Sequence, residues 1–161
     1  MMRIWKAPIT TAAAVTTAVD IFEALASTNK SLIVLGFELY NTTDFGDAQE
    51  EVLELAMVRG ISTVTSGSGG STSTVIATDE GTQSLTAPTV ETLNTTRMAV
   101  GTGTLRTEQK MGWNVRIPLT YFFPEILRPE VRPGDRWTLA ILAAPADSIT
   151  IGGTLYLAEM C

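Results

Sequence analysis

The chain contains no histidine and only one cysteine, Cys161, at its final position. Histidine is the commonest general base and the commonest protein metal ligand, so its absence removes the usual centre of acid–base and metal chemistry. A single cysteine cannot form a disulfide within the chain, and there is no histidine to activate its thiol. We therefore expect no cofactor, no metal and no enzymatic activity.

Charged residues are also scarce, since they make up 17% of the chain whereas hydrophobic residues make up 45%. Globular domains usually contain about 25% charged residues, so part of this surface is expected to be covered by other chains. A surface rich in threonine and serine is the alternative explanation. The net charge is −6, and no lysine- or arginine-rich segment is present. We expect no nucleic-acid partner, because phosphates attract a basic surface.

Long apolar stretches are missing as well. No segment approaches the roughly 18 consecutive apolar residues that a membrane span requires. Arg3 and Lys6 are basic residues near the N-terminus, but no continuous apolar stretch follows them, so a signal peptide is not expected. We therefore expect that the chain does not associate with a membrane. We also expect that it is synthesised in the cytoplasm.

The most regular part of the sequence lies in residues 132–159. Here Trp137, Leu139 and Ile141 alternate with other residues, and after a second turn the same period continues through 149–157. A period of two predicts β-strands with one face in a core. The Pro-Gly-Asp sequence at 133–135 predicts the turn that precedes the first of these strands.

Further strands are predicted over the segments 15–26, 31–40, 50–59 and 111–123. In the second, we expect Leu35, Phe37 and Leu39 to face one way. In the fourth, Trp113, Val115, Ile117 and Leu119 are expected to share a face, and Pro118 indicates an edge strand or a bulge. Residues 61–74, rich in serine and glycine, are expected to form a flexible surface loop.

About eight short strands without a persuasive helix predict an all-β domain, an antiparallel β-sandwich or jelly roll, over residues 15–161. The alternative is an α+β fold with helices at 15–26 and 50–59. Residues 1–14 are predicted to form an extended N-terminal arm. Its apolar residues Met2, Ile4 and Trp5 are the candidate partner-binding residues, because tryptophan is enriched where chains meet.

Acidic residues offer two further candidate sites. Asp44, Asp47, Glu50 and Glu51 could bind calcium, but they lack the spacing and glycine of an EF-hand loop, and acidic loops are usually just solvated. The adjacent carboxylates Asp79 and Glu80 could serve a glycosidase only if they converged across a cleft, and sequence does not show this.

Some short motifs in the chain have a structural explanation. Asn41-Thr42-Thr43 and Asn94-Thr95-Thr96 match the glycosylation acceptor pattern, but without a secretory signal they are expected to be loop and strand-end residues. The glycines of 66–70 are not followed by the Gly-Lys-Ser/Thr of a phosphate-binding loop. Neither motif therefore adds a site.

The order of elements resembles the jelly-roll decoration, or cement, proteins of tailed-bacteriophage heads. The residues that carry this resemblance are Asp20-Ile21-Phe22-Glu23 before a Leu-Ile-Val strand, the 50–59 strand followed by a Ser/Gly loop, Trp113-Asn114-Val115, and the segment 132–159. The Pro-Gly-Asp turn is also similar to that of the trimeric jelly rolls of the tumour-necrosis-factor and C1q type. The resemblance covers roughly residues 15–160 and does not include the arm.

The resemblance implies a structural virion protein without an active site. Such a protein would form a homotrimer, bind the major capsid protein on the capsid surface and bridge capsomers, and it would take no small-molecule substrate. The alternative is a carbohydrate- or receptor-binding module of a phage tail or head fibre, in which Tyr40, Trp113 or Tyr121 would stack on sugar rings.

Overall fold

The computed structural model describes residues 2–43, 51–78 and 87–160. In these residues, thirteen β-strands and one short 3-10 turn, Glu125–Leu127, follow one another along the chain. The strands are β1 Met2–Pro8, β2 Ala14–Val15, β3 Asp20–Leu25, β4 Leu32–Asn41, β5 Val52–Ile61, β6 Ser71–Thr72, β7 Ile76–Ala77, β8 Thr89–Asn94, β9 Thr104–Asn114, β10 Leu119–Phe122, β11 Glu130–Val131, β12 Arg136–Ile141 and β13 Ile149–Met160.

The strands form two antiparallel sheets that pack face to face. The seven-stranded sheet has the order β10-β4-β13-β1-β7, with β11 beside β4 and β2 beside β13. The six-stranded sheet has the order β6-β8-β3-β12-β5-β9. The predicted all-β antiparallel sandwich is thus confirmed. The alternative helices at 15–26 and 50–59 are wrong, because β3 and β5 occupy those segments.

The core lies between the two sheets. Trp137, Leu139 and Ile141 of β12 are fully buried and face this core, as their alternation predicts. Leu55 and Met57 of the neighbouring strand β5 join them. Period-2 patterning therefore identified the inward face of the central strands correctly.

Residues 2–8, assigned from sequence to an N-terminal arm, form the strand β1 inside the seven-stranded sheet. All seven residues pair with β13, from Met2 opposite Met160 to Pro8 opposite Thr154. Trp5 is only 5% exposed and belongs to the main core. The arm prediction is wrong for this segment, because its partner strand lies at the other end of the sequence and completes the sheet.

A bulge in β4 changes which residues face the core. Gly36 pairs with Tyr156 of β13, and Val34 pairs with the adjacent residue, Leu157. Leu35, between them, is therefore the extra residue. Phe37 is buried on one side of the bulge and Val34 on the other, and Leu35 is only partly buried. The predicted common face for Leu35 and Phe37 is therefore wrong, because one extra residue shifts the alternation.

The segment 111–123, predicted as one strand, crosses from one sheet to the other. It ends β9 at Asn114, turns through residues 115–118 and begins β10 in the opposite sheet. Trp113 and Val115 are buried in the core and Leu119 packs against it, whereas Ile117 is exposed in the turn. The predicted common face is therefore wrong for Ile117 alone among these four residues. Proline lacks a backbone N–H, which suits Pro118 to the break between the two strands.

Residues 62–70 and 95–103 form what we call the loop layer, which lies on the outer face of the six-stranded sheet. Thr65 exchanges two backbone hydrogen bonds with Ala99, and Ser68 exchanges two with Thr96. Met98 of this layer packs against two residues of β5, Ala56 and Val58. The predicted flexible surface loop is therefore wrong for 62–70, which is anchored to the sheet.

Candidate functional site

The outer face of the seven-stranded sheet carries exposed apolar and aromatic side chains. The strand register places five of them there, one or two from each of four adjacent strands. Phe122 is 53% and Met160 49% exposed, and Ile4 and Tyr40 are also open to solvent, whereas Tyr156 is half-buried. We call these five residues the apolar face.

Two glycines allow the rings of the apolar face to lie against the sheet. The ring of Phe122 lies over Gly36, where an added Cβ would come within 2.6 Å of its Cδ1 atom. The ring of Tyr40 covers Gly152 in the same way. The Phe122 and Tyr156 ring centroids are 5.3 Å apart, a normal spacing for an aromatic pair. The backbone thus fixes the positions of these rings.

Polar side chains also lie on this face, because the strand register places Lys6 opposite Tyr156 and places Thr120 and Thr154 opposite Glu38. The Tyr156 hydroxyl donates a hydrogen bond of 3.0 Å to Glu38 Oε2. Burial raises the pKa of Tyr156 above its ordinary value, and the hydrogen bond and negative charge of Glu38 raise it further. The Tyr156 hydroxyl is therefore a neutral hydrogen-bond donor on this face.

The two predicted partner-binding residues whose side chains are described, Ile4 and Trp5, point to opposite sides of β1. Ile4 belongs to the apolar face, whereas the neighbouring Trp5 points into the core and is buried. Met2 contributes a strand position opposite Met160, and its side chain lies outside the described residues. Of the two side chains that the structure describes, that of Ile4 therefore lies on the candidate surface and that of Trp5 does not.

The aromatic residues considered for sugar stacking are separated in the structure. Trp113 is buried and donates its Nε1–H to the Ile117 carbonyl at 2.9 Å. Tyr121 packs against the Phe37 and Phe123 rings. Tyr40 alone of the three is exposed. Of the three residues expected to stack on sugar rings, Trp113 is therefore excluded by its burial, and Tyr40 is the exposed candidate.

The buried carboxylates of β3 anchor the loop layer. Glu23 accepts hydrogen bonds from the Gly67 amide at 2.8 Å, Ser66 Oγ at 2.8 Å and Asn94 Nδ2 at 3.1 Å, and it pairs with Arg136 Nη1 at 2.9 Å. These four donors saturate the carboxylate, which is 1% exposed. The Gly67 amide is therefore committed to a protein carboxylate and does not form a phosphate-binding loop.

Asp20 holds the second half of the loop layer. Its carboxylate accepts the Met98 amide at 2.6 Å and pairs with Arg97 Nε at 3.3 Å. Burial raises the pKa of Asp20, although the Met98 hydrogen bond and the Arg97 charge lower it and the Glu23 charge raises it slightly. Both carboxylates point away from bulk solvent, so we assign them a structural role.

The remaining sequence candidates fall into two groups. Asp44, Asp47, Glu50, Asp79, Glu80 and Cys161 lie outside the described residues. Glu51 accepts the Ala146 amide at 2.9 Å. The side chain of Asn94 is buried against carboxylates, and Asn41 Oδ1 accepts the Thr43 amide at 2.9 Å. The two acceptor-pattern asparagines therefore have structural partners, as expected.

Comparison with known proteins identifies no relative. No known protein family, curated protein or solved structure matches the chain. Over the described ranges, no group of three or more Cys, Asp or Glu residues is placed to hold a metal ion. Among the same residues, no helix is long and apolar enough to cross a membrane.

Sequence reasoning missed Phe122, Tyr156 and Met160 as surface residues. Tyr156 did carry a signal, because it alternates with the buried residues Leu155 and Leu157 and so must face outward. Phe122 carried none, because its neighbour Phe123 is equally aromatic and only the strand register separates the two faces.

Proposed function

We propose that the chain is a structural virion protein, a decoration protein that binds the outer surface of a tailed-bacteriophage capsid and bridges its capsomers. The apolar face is the observation that supports this proposal. Exposed apolar side chains that cluster on one surface mark interaction sites, and here the Phe122 and Tyr156 rings pack at a centroid distance of 5.3 Å. The rings of Phe122 and Tyr40 are held over glycines, so the surface is preorganised and loses little side-chain entropy on binding.

The two sheets differ in a way that suits attachment on one side. The outer face of the six-stranded sheet is covered by the loop layer, where Met98 packs over Ala56. The outer face of the seven-stranded sheet retains exposed Phe122 and Met160. A protein that lies on a shell needs one surface that binds and one that faces solvent, and we assign these roles to the apolar face and the loop layer respectively.

Attachment would stabilise the shell by mass action. A protein that binds only the assembled shell shifts the equilibrium away from its dissociated subunits. Under this proposal, the chain binds the major capsid protein, associates with itself as a homotrimer and resides on the capsid surface. Such a role requires complementary surfaces and no catalytic group, and the proposal includes no enzymatic activity.

The test is cosedimentation of the purified chain with purified expanded shells of tailed bacteriophages. We expect Phe122→Asp to abolish binding, because it places an unpaired charge within the apolar face. Val100→Asp is the matched control, since Val100 is a similarly exposed apolar residue on the loop layer. Thermal unfolding of both variants checks that they remain folded.

Three outcomes would contradict the proposal. The first is no binding of the unaltered chain to any shell, and the second is binding lost in Val100→Asp but not in Phe122→Asp. The third is binding of oligosaccharides instead of shells, which Tyr40→Ala would abolish. That result would support the carbohydrate-binding alternative.

A further inference from the structure

The short 3-10 turn between β10 and β11 projects apolar side chains into solvent. Ile126 is 91% and Leu127 62% exposed, and none of the turn residues Glu125–Leu127 is buried. The turn is closed by a hydrogen bond of 2.8 Å from the Leu127 amide to the Pro124 carbonyl. Two large aliphatic side chains are thus presented on a short, backbone-bonded turn at the edge of the sandwich.

A cleft of about 410 Å³ lies directly beside this turn. Met57, Phe123, Ile126 and Leu127 supply the apolar part of its lining, and Arg59, Glu108, Gln109 and Arg128 supply the polar part. Its volume lies within the range of about 300–1,000 Å³ typical of ligand pockets. An apolar projection and a recess of mixed polarity therefore occupy the same patch of surface.

The charges of the turn have an order that complements itself. Glu125 precedes Ile126 and Leu127, and Arg128 follows them, with a proline on each side of this sequence. Both Glu125 and Arg128 are exposed. Neither forms an ion pair or hydrogen bond with any residue that the structure describes. One acidic and one basic group thus flank two apolar residues.

We propose that this turn is a two-fold contact between two copies of this chain. A two-fold interface uses the same patch on both partners, so that residue i meets j and j meets i. If the axis passes between Ile126 and Leu127, an antiparallel arrangement of the two turns sets Glu125 against Arg128 of the second copy. Since residues i and i+3 lie on the same side of a 3-10 turn, Glu125 and Arg128 face the second copy together. Ile126 and Leu127 flank this contact on either side, next to that copy's cleft.

The partner is a second copy because the turn carries both an acidic residue, Glu125, and the basic residue that would pair with it, Arg128. Any other partner would have to match the acidic-apolar-apolar-basic order of 125–128, whereas an inverted copy matches it by symmetry. The contact is separate from the apolar face and does not depend on the proposed capsid role. It doubles whatever unit the chain otherwise forms, whether that unit is a single chain or a trimer.

The test is the mass of the purified chain in solution, followed by light scattering and sedimentation over a concentration series. We expect a concentration-dependent doubling of mass. Glu125→Arg and Arg128→Glu should each weaken it by at least about tenfold in dissociation constant, because each creates like-charge pairs. The double variant, with both charges reversed, should recover the original association, because the complementarity is restored.

Ile126→Asp should also abolish the doubling, whereas Val52→Asp, at an exposed apolar residue elsewhere, should leave it unchanged. Because Ile126 is highly exposed, its replacement should not unfold the domain, so a loss of doubling would not result from unfolding. Thermal unfolding of each variant checks this. The proposal is overturned if the mass does not double, or if the double charge reversal is as weak as the single reversals. If Ile126→Asp still binds shells, the two-fold contact is separate from the shell binding that we assign to the apolar face.

Discussion

The indole of Trp137 is buried between the sheets, and its ring centroid lies 6.4 Å from that of Phe123 in an edge-on arrangement. Replacing it by alanine would remove apolar contact and leave a cavity. We expect Trp137→Ala to lower the free energy of unfolding by about 3–5 kcal/mol, measured by urea denaturation. A loss of less than about 1 kcal/mol would place this residue outside the core.

The Nε1–H of Trp137 is buried and has no hydrogen-bond partner among the described residues. Burial of an unpaired donor costs free energy, so Trp137→Phe should be less harmful than Trp137→Ala. Phenylalanine retains an aromatic ring and removes the unsatisfied donor. Comparison of the two variants therefore separates the contribution of packing from that of the polar atom.

Asp20 should make stability depend on pH in a direction opposite to most acidic groups. Its pKa in the folded protein is raised above the ordinary value of 3.8 by burial. The folded state therefore binds this proton more readily than the unfolded state. The contribution of Asp20 to stability is complete below the unfolded pKa and is lost as the pH rises through the folded pKa.

The measurement is the free energy of unfolding of the wild type and of Asp20→Asn, from about pH 3.5 to about pH 7. Subtracting the variant from the wild type removes the contribution of the other carboxylates. We expect this difference to fall as the pH rises. A difference that rises with pH would show that the Met98 amide and Arg97, rather than burial, dominate the pKa of Asp20.

At the scale of elements, the loop layer depends on Glu23. Glu23→Ala would leave Arg136 and the Gly67 amide without their partner on the sheet. We expect a loss of about 3–5 kcal/mol in the free energy of unfolding, as for other broken buried ion pairs. Hydrogen exchange of the Thr65 and Ser68 amides should accelerate more than that of β12, because they lie in the layer that Glu23 holds.

The matched control is Glu54→Ala. Glu54 also pairs with a cation, Lys110 Nζ at 2.7 Å, but both side chains are more than half exposed. Exposed ion pairs contribute little, so this variant should lose less than about 1 kcal/mol. Equal losses in the two variants would argue against an anchoring role for Glu23.

At the scale of the whole molecule, β1 joins the two ends of the described chain into one sheet. Deleting residues 2–8 would remove Trp5 from the core and leave one edge of β13 unpaired. We expect a large drop in melting temperature or the loss of cooperative unfolding, measured by circular dichroism. A deletion variant that melts like the full chain would instead support the arm that the sequence predicted.

The central strands were predictable because the alternation of buried and other residues that defines them lies within one short segment of the sequence. Trp137, Leu139 and Ile141 alternate within one segment, and one sheet buries them all. The pairing of β1 was not predictable, because its partner β13 lies about 150 residues away and short strands carry little pattern of their own. The bulge at Leu35 and the crossing at 115–118 depend on tertiary register, which periodicity alone does not encode.

The candidate surface was predictable only in part. Ile4 was identified because it is apolar and near a terminus, but the same criterion selected Trp5, which points the other way. Alternation separates these two neighbours only once both are known to lie in a strand. The apolar face draws residues from β1, β4, β10 and β13, and adjacency between distant strands is a property of the fold rather than of any segment.

The antiparallel pairing of Met2 with Met160 brings both termini of the described chain to the same point. A short linker between them would convert β1 and β13 into a continuous hairpin, and new ends could then be opened in a surface loop. A label or cargo protein fused to either of the original ends, next to Met2 or Met160, would emerge beside Ile4 and Met160. Fusions at these positions would therefore crowd the apolar face, and display on the solvent side would require insertion into the loop layer.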